Sequence, residues 1–79
     1  MDHAVACAIG ELRTLLDLLI GAGPTDGDVD NWLLIAAQCL EEACRFPGKA
    51  PVLLSGALEL LEQAETRMTL LAAEAAGNG

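Results

Sequence analysis

An all-α fold, a three-helix antiparallel bundle, is what this sequence predicts, and three observations carry it. Leu and Ala dominate an apolar fraction of 53%, and both are strong helix formers, while β-branched residues are few. Apolar positions recur at helical spacing in three long segments. Gly-Pro and Pro-Gly pairs fall between those segments and nowhere inside them. Seventy-nine residues make one domain, residues 1–79, close to the lower size at which a core holds without staples. An orthogonal arrangement of the same helices stays open on this information.

The first helix is predicted at about 2–20. Asp2 is placed to cap it, Val5, Ala8, Ile9, Leu12, Leu15, Leu16 and Leu19 form its apolar stripe, and Arg13, Thr14 and Asp17 face away. Gly10 falls on the polar side, where it either weakens the helix or admits a close contact. Gly21 is the expected terminator, with Gly23-Pro24 enforcing the stop.

The second helix, at about 28–46, is the organising element. It holds both aromatics, Trp32 and Phe46, and two of the three cysteines. Val29, Trp32, Leu33, Ala36, Ala37, Leu40, Ala43 and Cys44 share one broad face, too wide for a single neighbour to cover. Asn31, Gln38, Glu41, Glu42 and Arg45 lie opposite. Asp28 is the preferred cap, Asp26 the alternative, which would start the helix two residues earlier. The acids at 26, 28 and 30 have the alternation of a calcium loop. Asn31, however, stands where its glycine belongs, and Ala37 where its twelfth-position acid belongs. Helix capping is therefore the expected role of the cluster.

Pro47-Gly48 ends this helix and Pro51 suits the first turn of the third, at about 51–76. Its apolar face reads Leu53, Leu54, Ala57, Leu58, Leu60, Leu61, Ala64, Met68, Leu71, Ala72 and Ala75. Gly77-Asn78-Gly79 reads as a frayed end. At 1.5 Å per residue the third helix reaches about 39 Å, against about 28 Å for each of the others. Its last two turns are therefore expected to project, leaving Leu70, Leu71, Ala72, Ala73 and Ala75 uncovered.

The formal charge of −8, from twelve acids and four bases, disfavours direct binding to nucleic acid or to anionic membranes and suits a basic protein partner. The three cysteines, Cys7, Cys39 and Cys44, form no C-x-x-C pair and are expected to be small buried hydrophobes in a reducing compartment. Asp2 and His3 replace the basic start of a signal peptide, and no apolar run approaches a membrane span. A cytoplasmic location is expected.

The chain offers little for catalysis. His3 and Cys7 sit four residues apart, giving two metal ligands on one helix face with no second pair. Ser55, the only serine, has no histidine placed to activate it. The glycines of GAGPTDG lead into acids where a phosphate would sit. No catalytic, cofactor-binding or metal-ligating residue is assigned, and no enzyme is expected.

The stretch Gly27 to Phe46, GDVDNWLLIAAQCLEEACRF, resembles the second helix of an acyl carrier protein, which opens with Asp-Ser-Leu and later carries an acidic Leu-Glu-Glu run. Asn31 stands at the position of the prosthetic-group serine. The spacing from Asp30 to Leu40-Glu41-Glu42 is also one residue short. The resemblance thus implies a rival fold without phosphopantetheine attachment.

What remains is surplus apolar surface. Leu34 and Leu70 occupy odd positions among polar neighbours, and Ile35 and Leu18 lie on the flanks of their stripes. Several such residues in a small domain point to a partner surface. Leu34, Ile35, Leu70, Leu71 and Ala75 are the candidate interface residues. A homodimer through the third helix and one face of the second is expected, because two copies can cover each other's overhang. The expected function is a small non-enzymatic protein-binding regulator or inhibitor. Phage and mobile-element inhibitors such as anti-CRISPR proteins and DNA mimics are similar in size and charge. The alternative is a structural or assembly subunit whose apolar surface serves only oligomerisation.

Overall fold

The computed structural model describes residues 2–78, the Asn78 side chain apart, and contains three α-helices and no strand among them. Helix α1 spans His3–Ala22, α2 spans Gly27–Arg45 and α3 spans Ala50–Asn78, with a 3-10 turn at Pro47–Lys49 between α2 and α3. Asp26 at the start of α2 bonds Arg67 late in α3, so α3 runs back along α2. Ile9 and Arg13 of α1 share a cleft with Leu40 and Cys44, late in α2. Ile20, late in α1, shares another with Leu33 and Leu34, early in α2. The path is up, down, up, with the helices along one long axis, and the body measures 48 × 18 × 15 Å. That answers the orthogonal alternative.

The α2–α3 pair is built on a spacing of alternating three and four residues. The buried residues of α2 are Val29, Leu33, Ala36, Leu40 and Ala43. On α3 the matching series is Ala50, Leu54, Ala57, Leu61, Ala64, Met68 and Leu71, buried or partly buried throughout. A 3.5-residue period keeps one seam facing the partner helix, as in left-handed coiled coils. Five alanines seven apart, Ala36, Ala43, Ala50, Ala57 and Ala64, retain no exposed surface. Small residues at every second seam position let the two backbones approach, and the large ones between them fill the core.

Helix α1 is a lid on one side of this pair. Only Leu16 and Leu19 of it are buried, with Leu12 and Leu15 packed against the core from its edge. Trp32, Cys39, Leu60 and Leu71 seal the core elsewhere and stay partly accessible.

Several boundaries differ from the sequence expectations. The Asp2 cap is present, its carboxylate accepting from the Ala4 N–H at 3.2 Å. Helix α1 passes through Gly21 and ends at Gly23, which takes φ 35°. Gly23 precedes Pro24, and the residue before a proline is kept out of the α region, so the stop falls there. The cap of α2 is Asp26 and not Asp28: its Oδ1 accepts from the Val29 N–H at 2.9 Å, the N-cap-to-N3 geometry. Asp28 and Asp30 lie in the first turn, where the dipole favours acids. Phe46 caps the C-terminus of α2 from outside the helix, its N–H donating to the Glu42 carbonyl. Gly77 is helical and not frayed, and Gly79 lies outside the described residues.

Cys44 is exposed and Cys39 only partly buried. The narrow seam takes Ala43 and leaves Cys44 on the flank. The overhang of α3 is also shorter than expected. Ala22 and Gly23 border a cleft with Met68, Thr69 and Ala72, so α1 reaches past the start of α2, and Leu71 packs against the core. The projecting part is about the last turn and a half, from Ala73 on.

Candidate functional site

The two flanks of the α2–α3 seam have different fates. One is covered by α1, whose Ile9, Ile20, Leu19 and Ala22 share clefts with Leu40, Leu33, Met68 and Ala72. Among the described residues no third helix lies against the other. At 100° per residue, Asp28, Trp32, Ile35, Cys39 and Glu42 form a strip of α2 along that open flank, with Phe46 just past the helix end. Leu53, Gly56, Leu60, Gln63, Arg67 and Leu70 form the facing strip of α3. The result is a long groove, apolar along its middle, with Asp28 and Glu42 on the α2 wall and Glu59 bordering the α3 side.

Exposure along the groove is graded. Trp32, Cys39, Leu53, Gly56 and Leu60 are half-buried, whereas Ile35 is 37%, Phe46 49% and Leu70 51% exposed. Val52, at the edge beside Phe46's end, is 77% exposed. One end widens into an open cleft of about 560 Å³ whose lining includes Trp32, Glu59, Glu62, Arg67 and Leu70. At the other end the Lys49 ammonium stands 5.7 Å from the centre of the Phe46 ring, within cation–π range.

Arg67 is fixed in this setting. Its Nε donates to Asp26 Oδ2 at 2.8 Å, so one carboxylate both caps α2 and anchors α3. The Val29 N–H, followed by the Arg67 guanidinium, holds the Asp26 carboxyl below its ordinary value of 3.8. Each donor favours the charged form. With both oxygens engaged, Asp26 is committed to structure.

The candidate interface residues do not gather on one surface. Leu34, 58% exposed, borders the α1–α2 cleft with Ile20, Thr25 and Ala37. Ile35 and Leu70 lie on the open groove, Leu71 beneath its edge against the core, and Ala75 on the projecting end of α3. The groove-lining role of Trp32 and Gly56 escaped the sequence reading, although the 3-4 spacing of each strip was there to be counted.

His3 and Cys7 do come together, with Nε2 3.5 Å from Sγ on the exposed face of α1. Among the described residues no group of three His, Cys, Asp or Glu side chains is placed to hold a metal ion, and no helix is long and apolar enough to cross a membrane. No buried side-chain nitrogen or oxygen among them lacks a hydrogen-bond partner. No family model matches this chain, and no curated protein or solved structure is significantly similar to it.

Proposed function

We propose that this chain is a small, acidic, non-enzymatic protein-binding regulator or inhibitor that acts by occupying a surface of a larger partner. One observation carries the reading. Eight large apolar side chains among the described residues, Leu18, Ile20, Leu34, Ile35, Phe46, Val52, Leu58 and Leu70, are between 37% and 77% exposed. Of these, Ile35 and Leu70 border one groove with half-buried Trp32 and Leu60, and a contiguous apolar strip on a body this small is suited to association. Charge supplies the second half: at −8 the chain attracts a basic partner at long range. Inhibitors from phage and mobile elements share this size and charge, and that likeness is one of analogy alone. A cytoplasmic setting agrees with three cysteines left as thiols.

A second reading is self-association. The end of α3 from Ala73 projects beyond α1 and α2; Ala75 within it and Leu70 just before it are exposed. A two-fold pairing would let each copy cover the other's end, as an assembly subunit requires. The test is recovery of partners by tagged protein from extracts of the source cell, followed by rebinding with purified components. One partner at stoichiometric level that rebinds when pure supports the regulator. Recovery of the chain alone overturns it in favour of the assembly subunit.

A further inference from the structure

We infer that the open groove between α2 and α3, with Trp32, Ile35 and Cys39 on one wall and Leu53, Gly56 and Leu60 on the other, is the docking site for a basic amphipathic helix of a partner protein. The inference rests on the protein-binding reading above and names the surface and the ligand chemistry.

The shape comes first. A third helix already packs on one flank of the α2–α3 seam, and the groove is the equivalent flank left vacant. Both walls carry apolar residues at alternating spacings of three and four, which is the pattern a helix reads along a groove. The helical strip from Asp28 to Glu42 is about 21 Å long at 1.5 Å per residue, enough for about four turns of a partner.

Gly56 is the second observation. It lies inside α3, half-buried on the groove wall between Leu53 and Leu60. Glycine there destabilises the helix relative to alanine. Nothing among the described residues requires it, since an added Cβ at Gly56 would meet none of their atoms within 4 Å. A missing side chain at mid-groove is what close approach of another backbone calls for.

Charge decides the occupant. Asp28 and Glu42 lie on the α2 strip, and Glu59 borders the cleft on the α3 side. Of the nearby cations, Arg67 is already held by Asp26 and Lys49 lies over Phe46 at the far end. A second copy would bring another −8 against these rims, whereas a helix with lysines flanking a leucine stripe would match both rims and floor.

Trp32 is the only tryptophan and borders the groove, so its fluorescence reports occupancy. The probe is a synthetic helix of roughly 18 residues, long enough for the groove, with leucines on one face and lysines on the other. Its control is a peptide of the same composition without the periodicity. The expected result is a saturable blue shift of Trp32 emission with the amphipathic peptide, at least about tenfold weaker with the control. Added salt should weaken it. Gly56→Gln, a better helix former that fills the gap, should raise the melting temperature yet weaken the peptide at least about tenfold. Ala6→Gln, on the exposed face of α1, should bind as the parent does.

Equal binding of both peptides, or of the parent and Gly56→Gln, overturns the proposal, as does absence of a saturable shift. A concentration-dependent Trp32 shift of the parent alone, matched by dimer in sedimentation and abolished by Gly56→Gln, makes the occupant a second copy and also overturns it. A purified native partner that binds Gly56→Gln normally but fails to bind Leu34→Gln sinks the groove and leaves the protein-binding reading in place.

Discussion

Arg67 and Asp26 stand 41 residues apart in the chain and 2.8 Å apart in the fold, and the bond between them pins the second half of α3 to the cap of α2. Because the Asp26 carboxyl is held below its ordinary value of 3.8, its contribution to stability is complete above that value. It is lost as pH falls through the lower, folded-state value. Asp26→Asn keeps a capping side chain and removes the charge. The parent should therefore melt at a higher temperature than Asp26→Asn at neutral pH. The gap should close as pH drops below 3.8, followed by circular dichroism. A gap independent of pH would mean that the ion pair contributes nothing.

The same carboxylate separates the two capping assignments. Asp26→Ala should lower the melting temperature clearly more than Asp28→Ala, because only Asp26 accepts the Val29 N–H and Arg67 together. Calcium should leave both midpoints where they are, since the oxygens of Asp26 are already engaged. A saturable rise with calcium would overturn this account.

Glycines should respond in opposite directions. Added Cβ atoms at Gly10 and Gly56 meet nothing within 4 Å, so Gly10→Ala and Gly56→Ala should each stabilise by roughly 0.5–1 kcal/mol in urea unfolding. Gly23 holds φ 35° and ψ 170°, where an L side chain is strained, so Gly23→Ala should cost roughly 1–3 kcal/mol. A loss at Gly10 or Gly56 would point to crowding that the helix geometry does not contain.

The three helices could be read from the sequence because leucine and alanine periodicity is local and the Pro-Gly breaks are unambiguous. The cap of α2 could not be settled that way. Three acids alternate at 26, 28 and 30, and the residue that singles out Asp26 is Arg67, far along the chain. The seam was visible but blurred. The broad apolar face of α2 holds both Ala43 and Cys44, and which one is buried depends on where α3 crosses. The overhang of α3 was overestimated because the reach of α1 past Gly21 is set by Gly23-Pro24, two residues later than expected. As for the site, exposed leucines were legible one by one. That Leu34 and Leu70 belong to different clefts follows only from which flank α1 covers.

The alanine seam makes a packing prediction. Ala57, with no exposed surface, sits where the two backbones approach. Ala57→Leu should cost roughly 1–3 kcal/mol by overpacking while helicity is largely kept. Cys44→Ala, on the exposed flank, should change stability by less than about 0.5 kcal/mol. Cys39→Ala, partly buried, should cost about 1 kcal/mol. Equal tolerance at 57 and 44 would mean that the seam is loosely packed.

Self-association and partner docking should depend on salt with opposite sign, and Leu70 is the residue through which to see it. Leu70 is 51% exposed next to the projecting end of α3. Burying a leucine stabilises by roughly 1.5–3 kcal/mol, and a two-fold interface counts it twice. Against that stand the several kcal/mol of lost freedom on association and the repulsion between two bodies of charge −8. The balance leaves room only for a weak dimer, one that tightens as salt screens the repulsion. Leu70→Glu removes the burial and adds like charge near its symmetry mate, so it should be monomeric at every salt concentration with its helicity retained. Sedimentation equilibrium across a salt series checks this directly. A parent that stays monomeric at tens of micromolar in high salt would exclude the dimer. Leu70 would then be left to the mouth of the groove, where salt should weaken the bound basic helix instead.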